Sequence, residues 1–536
     1  MTESRANTDI ESYLEQLDTS EPIKALFRQY GQIYAWLAMF AVMIAMLATM
    51  LTATIVNIAI PQIMGSFGIG QDQAQWLSTA NLAASTVGML TTFWVVQFWG
   101  MRKMITVTMT IFMVSCVIGG LSTNFELMVF TRVIQGLATG MVTPLTISII
   151  FQLFPFHKQG LVMGLSSVAA IMGPALGPSV GGVLIDYFNW RYVFFIGVPL
   201  SMICLPLAIL FLPERDGPKP QQAFDWMGTV SLSMAITAML VAMSNGEKEG
   251  WSSDFIVLWS TVSLLAWITF IYGQIHTEHP LLNLKILLNK RFATFSLTAF
   301  TFGAGLYGSA YLIPLFLQIV QGMKPTDAGL SMMPAGLLMG IASPLFGRLA
   351  DRLAPRLMII AGSLLFFLSF YLMIDADADT SFWTFVWWMC IGRVGISCAF
   401  PSMSMGAIRS VPAELTGQAS GVLNFIRNLG GAYGVNVLSV VLARRTEFHV
   451  DSLRATQVAD NSATSELLLR LQERWTVTGW SPFEQSAMSM HYLMESIRSQ
   501  ATMLAFKDSF LVASLVFIIT ALAALSLKKL EHDKTA

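Results

Sequence analysis

Residues 160–182 read GLVMGLSSVAAIMGPALGPSVGG, and residues 417–434 read GQASGVLNFIRNLGGAYG. The two stretches carry glycines at matching places, always 257 residues apart, and two prolines before the first stretch recur at the same distance. The matched pairs are Pro144 and Pro401, Pro155 and Pro412, Gly160 and Gly417, Gly164 and Gly421, Gly173 and Gly430, and Gly177 and Gly434. Because glycine and proline fix where helices bend or pack closely, these matches at one distance predict an internal repeat.

The rest of the chain places this repeat in a membrane. Only 12% of the 536 residues are charged and 54% are hydrophobic, whereas about a quarter of the residues of a soluble protein are charged. The mean hydropathy is +0.62, and the apolar residues form runs of about 20, the length of helix that crosses a hydrocarbon core. The sequence therefore predicts an all-α integral membrane protein, surrounded by the lipid bilayer. About fourteen spans are expected, at 34–59, 74–97, 104–121, 125–150, 160–185, 191–212, 226–244, 254–274, 293–320, 327–347, 357–374, 381–402, 417–442 and 504–527.

The repeat divides these spans into two halves. Spans four and five recur as spans twelve and thirteen, so spans one to six match spans nine to fourteen, and spans seven and eight form an inserted hairpin. Lys and Arg concentrate in the short loops of one side, which predicts that this side and both termini are cytoplasmic. The predicted segments are an N-terminal segment at 1–33 with a surface helix after Asp9, a first bundle at 34–212, a linker with two helices at 213–292, a second bundle at 293–527 that includes an outer loop at 443–503, and a tail at 528–536.

Composition argues against several other classes of protein. The formal net charge of −1 and the lack of a Lys/Arg tract give no case for nucleic-acid binding. The four cysteines lie in apolar runs and are expected to pack rather than to form disulfides or bind a metal: Cys116, Cys204, Cys390 and Cys398. No metal-ligand pattern, nucleophile elbow or phosphate loop predicts an enzyme or a cofactor. The acidic, polar start of the chain is not typical of a signal peptide.

Short motifs within the repeat carry a family resemblance. The run GPALGPSVGG at 173–182 combines glycines four apart, which make a flat helix face, with prolines that bend the helix. It resembles the antiporter signature of drug exporters in the major facilitator superfamily. Further motifs similar to that superfamily are TIVNIAIP at 54–61, RVIQG at 132–136, NWR at 189–191 and GRLADR at 347–352. NFIRNLGG at 424–431 is similar to a pattern of the fourteen-span drug:proton antiporters of EmrB/QacA type, and the chain most resembles the EmrB branch.

This resemblance implies a major facilitator fold, with two six-helix bundles plus the inserted hairpin. It also implies efflux of drugs or small amphiphiles by alternating access, driven by protons. Conformational roles follow for two groups: Gly173, Pro174, Gly177, Pro178, Gly181 and Gly182 as seal and hinge, and Gly347, Asp351, Arg352 and Arg356 as an inner latch. In a bacterium with two membranes, the resemblance further implies the inner membrane as location, and a periplasmic adaptor and an outer-membrane channel as partners.

The sequence differs from the family pattern in the residues expected to couple transport to protons. Thr52 stands two positions before the TIVN motif, where an acidic residue is usual, and Gln97 stands where the first loop motif usually has Asp. No Asp, Glu or His falls near the middle of a predicted span, although a proton-coupled antiporter needs a group that gains and loses a proton. A transporter or facilitator of anionic lipids or fatty acids that runs without protons therefore stays open as an alternative. A transporter-like membrane sensor without turnover is the alternative from another class.

Three arginines remain inside the predicted spans: Arg132, Arg393 and Arg427. Unpaired charge at such depth is costly, so these residues usually face a cavity or the bundle interior. We expect at least one of them to attract anionic amphiphiles; the alternative is that they bind helix carbonyls and hold the halves together. Further candidates for substrate or coupling contacts, each of which could equally bridge helices, are Thr52, Asn57, Trp76, Gln135, Tyr307, Tyr311, Gln318, Asn424 and Asn428.

Overall fold

The computed structural model describes residues 21–69, 71–74, 76–215, 224–277, 280–457, 461–475 and 480–527. Throughout these residues the regular elements are helices. The side chains of a few helical residues, Asn57, Pro174 and Pro178 among them, lie outside this description. The surface helix predicted after Asp9 also lies outside the described residues.

The long helices follow the predicted order. The first half begins with a surface helix, α1 (Glu21–Tyr30), and continues with α2 (Ile33–Phe67), α3 (Trp76–Trp99), α4 (Met101–Leu121), α5 (Phe125–Leu153), α6 (Gln159–Tyr187) and α7 (Gly197–Phe211). The hairpin consists of α8 (Trp226–Glu249) and α9 (Asp254–His276). The second half contains α10 (Lys290–Ile319), α11 (Pro325–Ala350), α12 (Pro355–Met373), α13 (Phe382–Ile408), α14 (Thr416–Ala455), α15 (Ser462–Trp475) and α16 (Pro482–Leu525).

Thirteen helices within the described residues are long and apolar enough to cross a membrane. A further candidate for a crossing is α6, in which Gln159–Ala170 forms a shorter apolar stretch. Its 29 residues, rising about 1.5 Å each, exceed the roughly 30 Å of a hydrocarbon core. The predicted all-α membrane fold is therefore confirmed. We call the end of the bundle that carries residues 100, 155, 351 and 410 the inner end, because the charge bias predicts that it faces the cytoplasm.

The repeat in the sequence is also a repeat in helix packing. Gly173 of α6 lies so close to α2 that a Cβ there would be 2.7 Å from Met50 Cβ. Its repeat partner, Gly430 of α14, lies equally close to α10, where a Cβ would be 2.1 Å from the Phe300 carbonyl oxygen. In both halves, a glycine face thus brings the fifth helix against the first, backbone to backbone.

The same two helices also join the halves to each other. The inner part of α6 packs on α11, where a Cβ on Gly164 would be 2.2 Å from the Ser343 carbonyl oxygen. The inner part of α14 packs on α3, where a Cβ on Gly421 would be 2.9 Å from the Met89 carbonyl oxygen. The halves therefore meet along two seams, α6–α11 and α3–α14. The seams are equivalent under the repeat, since each joins the fifth spanning helix of one half to the second spanning helix of the other.

The region predicted as an outer loop, 443–503, is mostly helical, because the helices of the last two predicted spans extend beyond the predicted span ends. α14 continues 13 residues beyond 442, and α16 begins 22 residues before 504. Ser481 caps α16 in a capping box with Glu484. The two extended helices are joined where Arg445 Nε, at 2.5 Å, and His449 Nε2, at 2.7 Å, meet Asp508 Oδ2.

Candidate functional site

Arg132 lies in the first half, where α5 packs against α2 and α3. Its side chain is fully buried. The guanidinium donates to three backbone carbonyls: Leu77 at 2.9 Å from Nε, Thr52 at 3.3 Å from Nη1 and Ala53 at 3.2 Å from Nη2. Nη1 also donates to Gln135 Oε1 at 2.9 Å. Each nitrogen therefore has an acceptor, and the cation fastens α5 to its two neighbours.

Of the other candidates in the first half, Thr52 and Gln135 lie beside this arginine, whereas Trp76 lies at the start of α3. The Thr52 hydroxyl donates to the Ala48 carbonyl of its own helix at 2.8 Å. A hydroxyl bonded within its helix thus occupies the position where the resemblance to the drug exporters implies an acidic residue. Trp76 lies at the start of α3 and is 36% exposed. The structure brings Thr52, Arg132 and Gln135 together, whereas the side chain of Asn57 lies outside the described part.

Arg427 lies in the second half, on α14, and is only 5% exposed. Its Nη2 donates to Asn424 Oδ1, and its guanidinium carbon lies 4.7 Å from the centroid of the Phe400 ring. Its Nη1 is buried without a hydrogen-bond partner among the described residues, and no described carboxylate forms an ion pair with it. Arg427 therefore differs from Arg132, because one of its guanidinium nitrogens has no hydrogen-bond acceptor among the described residues. Burying a charged group with such an unpaired donor costs free energy.

Tyr307 and Asn428 complete the group around Arg427. The Tyr307 hydroxyl, on α10, donates to Asn428 Oδ1 at 2.9 Å. Both side chains are largely buried, and Asn428 follows Arg427 directly on α14. We call Tyr307, Phe400, Asn424, Arg427 and Asn428 the Arg427 cluster. It combines one cation, two amides, one phenol and one apolar ring, which is the composition expected of a site for an amphiphile.

The remaining candidates of the second half lie outside this cluster. Tyr311 OH donates to Ser439 Oγ at 3.3 Å. Gln318 Nε2 donates to the Pro314 carbonyl of its own helix at 3.2 Å. Arg393 is partly exposed and precedes Phe400 by seven residues, so both residues lie on the same face of α13.

The glycines of the antiporter-like motif face two directions. Three of them face α2 of the same half: Gly173, Gly177 and Gly181. A Cβ on Gly177, for example, would be 2.6 Å from Thr54 Oγ1. The fourth, Gly182, faces the second half, where a Cβ would be 2.5 Å from Thr326 Oγ1 at the outer end of α11. The motif therefore packs the first half on itself, and it contacts the second half near the outer end.

Asp351, which follows α11, joins the halves at the inner end of the α6–α11 seam. Its two carboxylate oxygens accept from the Gly160 amide, in the first turn of α6, at 3.0 and 3.1 Å. Arg409, after α13, has its Nη2 3.6 Å from Asp351 Oδ1. The same nitrogen donates to the Phe156 carbonyl and to Gln159 Oε1, both at 3.2 Å. We call Asp351, Gly160 and Arg409 the inner latch, since it links residues of both halves.

Burial dominates the electrostatics of the latch. It raises the pKa of Asp351, and the Gly160 amide and the Arg409 charge lower that pKa by less. Burial also lowers the pKa of Arg409, against the opposing effect of the Asp351 charge. The N-terminus of α6 adds a positive field at the carboxylate. Protonation of Asp351 is therefore easier in this closed arrangement than in water.

The other predicted latch residues differ in their surroundings. Gly347 packs on Gly160, where a Cβ would be 2.2 Å from the facing carbonyl oxygen. Arg352 is exposed, and Arg356 Nε is buried without a hydrogen-bond partner in the described part of the chain. Arg409 and Gly160 are latch residues that the sequence motifs do not indicate. The only signals for them are the inner-loop charge bias and the glycine repeat.

The family is decided by a match that spans most of the chain. The family model of the Major Facilitator Superfamily matches residues 42–435. The chain belongs to this superfamily. It is accordingly a multi-pass membrane transporter, and the family predicted from its motifs is confirmed.

Several relatives cover most of this transporter. The multidrug export protein EmrB of Escherichia coli (strain K12) is 25% identical over 482 residues, which are 89% of this chain and 92% of that protein. The fatty acid resistance protein FarB of Neisseria gonorrhoeae is 26% identical over 492 residues, 91% of this chain and 95% of that one. Among solved structures, the human organic anion transporter MFSD10 matches with a TM-score of 0.58 and 14% identity, over 90% of this chain and 99% of that one. That likeness concerns the fold alone.

Proposed function

We propose that this transporter exports small amphiphilic compounds, anionic ones among them, by alternating access driven by protons. The substrate class is inferred from Arg427, whose Nη1 is buried in a largely polar cluster without a hydrogen-bond acceptor among the described residues. A carboxylate or sulfonate headgroup would supply the missing acceptor, and the Phe400 and Tyr307 rings offer apolar surface to a tail. The names of EmrB and FarB, which refer to multidrug export and fatty acid resistance, support the same class.

Alternating access is supported by how the halves meet. The described hydrogen bonds between them lie at the inner end: Gly160 with Asp351, Arg409 with Phe156 and Gln159, and Ser420 with the Pro144 carbonyl at 3.1 Å. Breaking this set would open the inner end and leave the packing inside each half unchanged. In the proposed cycle, substrate binds from the inner side, the latch closes behind it, and the outer side opens.

The test is transport by purified protein in liposomes with an imposed pH gradient. The matched substrates are dodecanoate and dodecyltrimethylammonium, which share a tail length and differ in the sign of the headgroup charge. Arg427→Met should lower dodecanoate transport at least about tenfold, the effect of losing one good charge-assisted contact of about 1.4 kcal/mol or more. Transport of the cation should change little. Equal loss of both substrates, or loss of neither, would contradict the anion site.

Transport without protons is the second candidate, because Thr52 replaces the usual acidic residue and its hydroxyl is bonded to Ala48. Such a transporter would carry anionic lipids or fatty acids down their own gradient. The same liposomes separate the two candidates. A protonophore should stop uphill export by an antiporter, whereas downhill flux through a facilitator should continue at its original rate.

The proposal includes a place for partner proteins. We propose the inner membrane of a bacterium with two membranes, both termini in the cytoplasm, and a periplasmic adaptor with an outer-membrane channel as partners. The helical extension formed by α14, α15 and α16 beyond residue 442 supports this arrangement, because it presents Phe483 at 83% exposure. Photocrosslinking from position 483 in cells should then capture a periplasmic protein. Crosslinks to cytoplasmic proteins would contradict the orientation.

A further inference from the structure

A cavity of about 140 Å³ lies at the inner end, away from the residues of both arginine sites. It is bounded by α3, the start of α8, the segment after α9 and the start of α14, so it touches both halves and the hairpin. Its lining combines three aromatic rings, a carboxylate and three amides: Phe93, Trp94, Phe224, Asp225, Gln97, Asn283 and Gln418.

The carboxylate in this lining is buried and has no ion-pair partner among the described residues. Asp225 is 9% exposed. Its Oδ1 accepts from the Gly228 amide at 2.7 Å, and its Oδ2 accepts from Gln274 Nε2 at 2.6 Å and from the Leu281 amide at 3.3 Å. All three donors are neutral, and no described Lys, Arg or His forms an ion pair with Asp225. The hydrogen bonds fix the carboxylate in place, but within the described part of the chain its negative charge has no cationic partner.

Two of the three aromatic rings in the lining, Trp94 and Phe224, are held in place by neighbouring rings. The rings of Trp94 and Phe224 meet edge to face with centroids 4.7 Å apart, and Phe98 stacks on Trp94 at 5.1 Å. Aromatic faces attract cations within about 6 Å, and the attraction grows when the site is shielded from water. Gln418 adds an Oε1 that is buried without a hydrogen-bond partner among the described residues.

We propose that this cavity binds an organic ammonium headgroup, with Asp225 as its counter-charge and the rings of Phe93, Trp94 and Phe224 as its walls. The volume equals that of about four or five water molecules, which suits a quaternary ammonium but not a whole drug. The lining spans the α3–α14 seam, so the bound headgroup holds the inner end closed. The headgroup comes either from a soluble cation or from a choline lipid of the inner leaflet.

The first experiment measures choline binding to the purified full-length transporter by calorimetry. The control ligand is 3,3-dimethylbutan-1-ol, which has the shape of choline without its charge. Choline should bind at least about tenfold more tightly than this alcohol. Asp225→Asn should remove the preference, because asparagine keeps the helix cap but not the charge. Equal affinity of the two ligands, or no saturable binding of choline, would overturn the proposal without the need for any variant.

Two further variants separate the cavity from its surroundings. Trp94→Leu removes a wall and should weaken choline binding several-fold. Trp226→Leu changes a neighbouring ring that is 72% exposed, packs on Phe224 at 4.8 Å and does not line the cavity, so it should leave affinity unchanged. An unchanged affinity in both Asp225→Asn and Trp94→Leu would also overturn the proposal.

Nanodiscs distinguish the two sources of the headgroup. Discs of phosphatidylcholine should lower the apparent affinity for soluble choline, relative to discs of phosphatidylglycerol, if a lipid supplies the headgroup. Equal affinity in both discs assigns the site to soluble cations. Because this readout is equilibrium binding, it does not depend on whether the proposed export is driven by protons.

Discussion

A single methyl group on Gly164 tests whether the backbone approach at the α6–α11 seam holds the inner end closed. A Cβ there would be 2.2 Å from the Ser343 carbonyl oxygen, where ordinary contacts begin at 3.4 Å. The facing atoms are backbone, so no side chain can rotate away, and the seam must separate by about 1 Å at this level. We therefore expect Gly164→Ala to disfavour the inner-closed form.

The size of the effect follows from overpacking, which costs about 1–3 kcal/mol. The gain in helix propensity from Gly to Ala, about 0.5–1 kcal/mol, is the same in the open and closed forms and does not bias the gate. The ratio of closed to open forms should thus fall roughly 5- to 150-fold. Gly340→Ala is the matched control, since its Cβ would meet Val168 Cγ1 across the same seam at an ordinary 3.7 Å.

The assay is maleimide labelling of Met89→Cys on α3, a buried position at the other seam. The native cysteines are buried and give a low background. Labelling should rise in Gly164→Ala and stay at the original rate in Gly340→Ala, while transport falls only in the former. If both variants label and transport alike, backbone contact at Gly164 does not control the inner gate.

Three other perturbations have defined outcomes. Burial raises the pKa of Asp351 in this closed arrangement, and we expect opening to expose the carboxylate to water and lower that pKa, so that the closed form binds the proton more tightly. As pH falls towards the raised pKa, labelling of Met89→Cys should decrease relative to an Asp351→Asn background, and parallel pH profiles would contradict this. Arg132→Lys should lower the stability of the first half by about 2–4 kcal/mol, because a compact ammonium cannot reach all four acceptors. Thermal unfolding measures this loss of stability. Arg352→Lys, at an exposed position, is the control and should leave the stability unchanged. Gly177→Leu should insert normally but abolish transport by forcing α6 away from α2, and near-normal transport would refute the role of this glycine.

The glycine face of α6 illustrates what a sequence can predict about packing. Spacing alone predicts a flat face that approaches another backbone, and the structure has that face. Which helix packs against this face depends on the tertiary structure, and the spacing of glycines does not predict it. Gly173 and Gly177 contact α2, whereas Gly164, nine residues before Gly173, contacts α11 of the other half. Only the repeat allows a partial inference, because glycines that recur in both halves should have equivalent neighbours.

Helix ends were predictable where a local signal marked them. The last two predicted spans end at 442 and begin at 504, whereas the helices that contain them continue beyond both residues into polar extensions. Hydropathy reports the membrane boundary, and it does not report the end of hydrogen bonding along a helix. The sequence Ser481-Pro482-Phe483-Glu484 contains the capping box that begins α16, so this start could have been read from the residues.

The two deeply buried arginines show why residue type and depth do not define a site. Both were candidates on the same argument, namely a charge in an apolar span. Arg132 donates to three carbonyls and one amide oxygen, which satisfies all its nitrogens. Arg427 has Asn424 and a ring but keeps one nitrogen without an acceptor. Because any backbone carbonyl can accept a hydrogen bond, the sequence does not predict which of the two arginines has all its donors paired. The hydrogen bonds in the structure distinguish them.

The two seams predict which side of the transporter opens first. Along the α6–α11 seam, Gly164 meets a carbonyl at 2.2 Å, and Gly182 continues the contact to the outer end through Thr326. At the α3–α14 seam, a Cβ on Gly417 would meet the ring of Phe93 at 2.7 Å, a side chain that can rotate, and a Cβ on Gly421 would be 2.9 Å from the Met89 carbonyl oxygen. The backbones approach more closely at the α6–α11 seam, where the inner latch also lies, so that seam separates at higher cost. We therefore expect the α3–α14 seam, next to the cavity at Asp225, to separate first when the inner end opens, and the α6–α11 seam to separate after it, when the inner latch breaks.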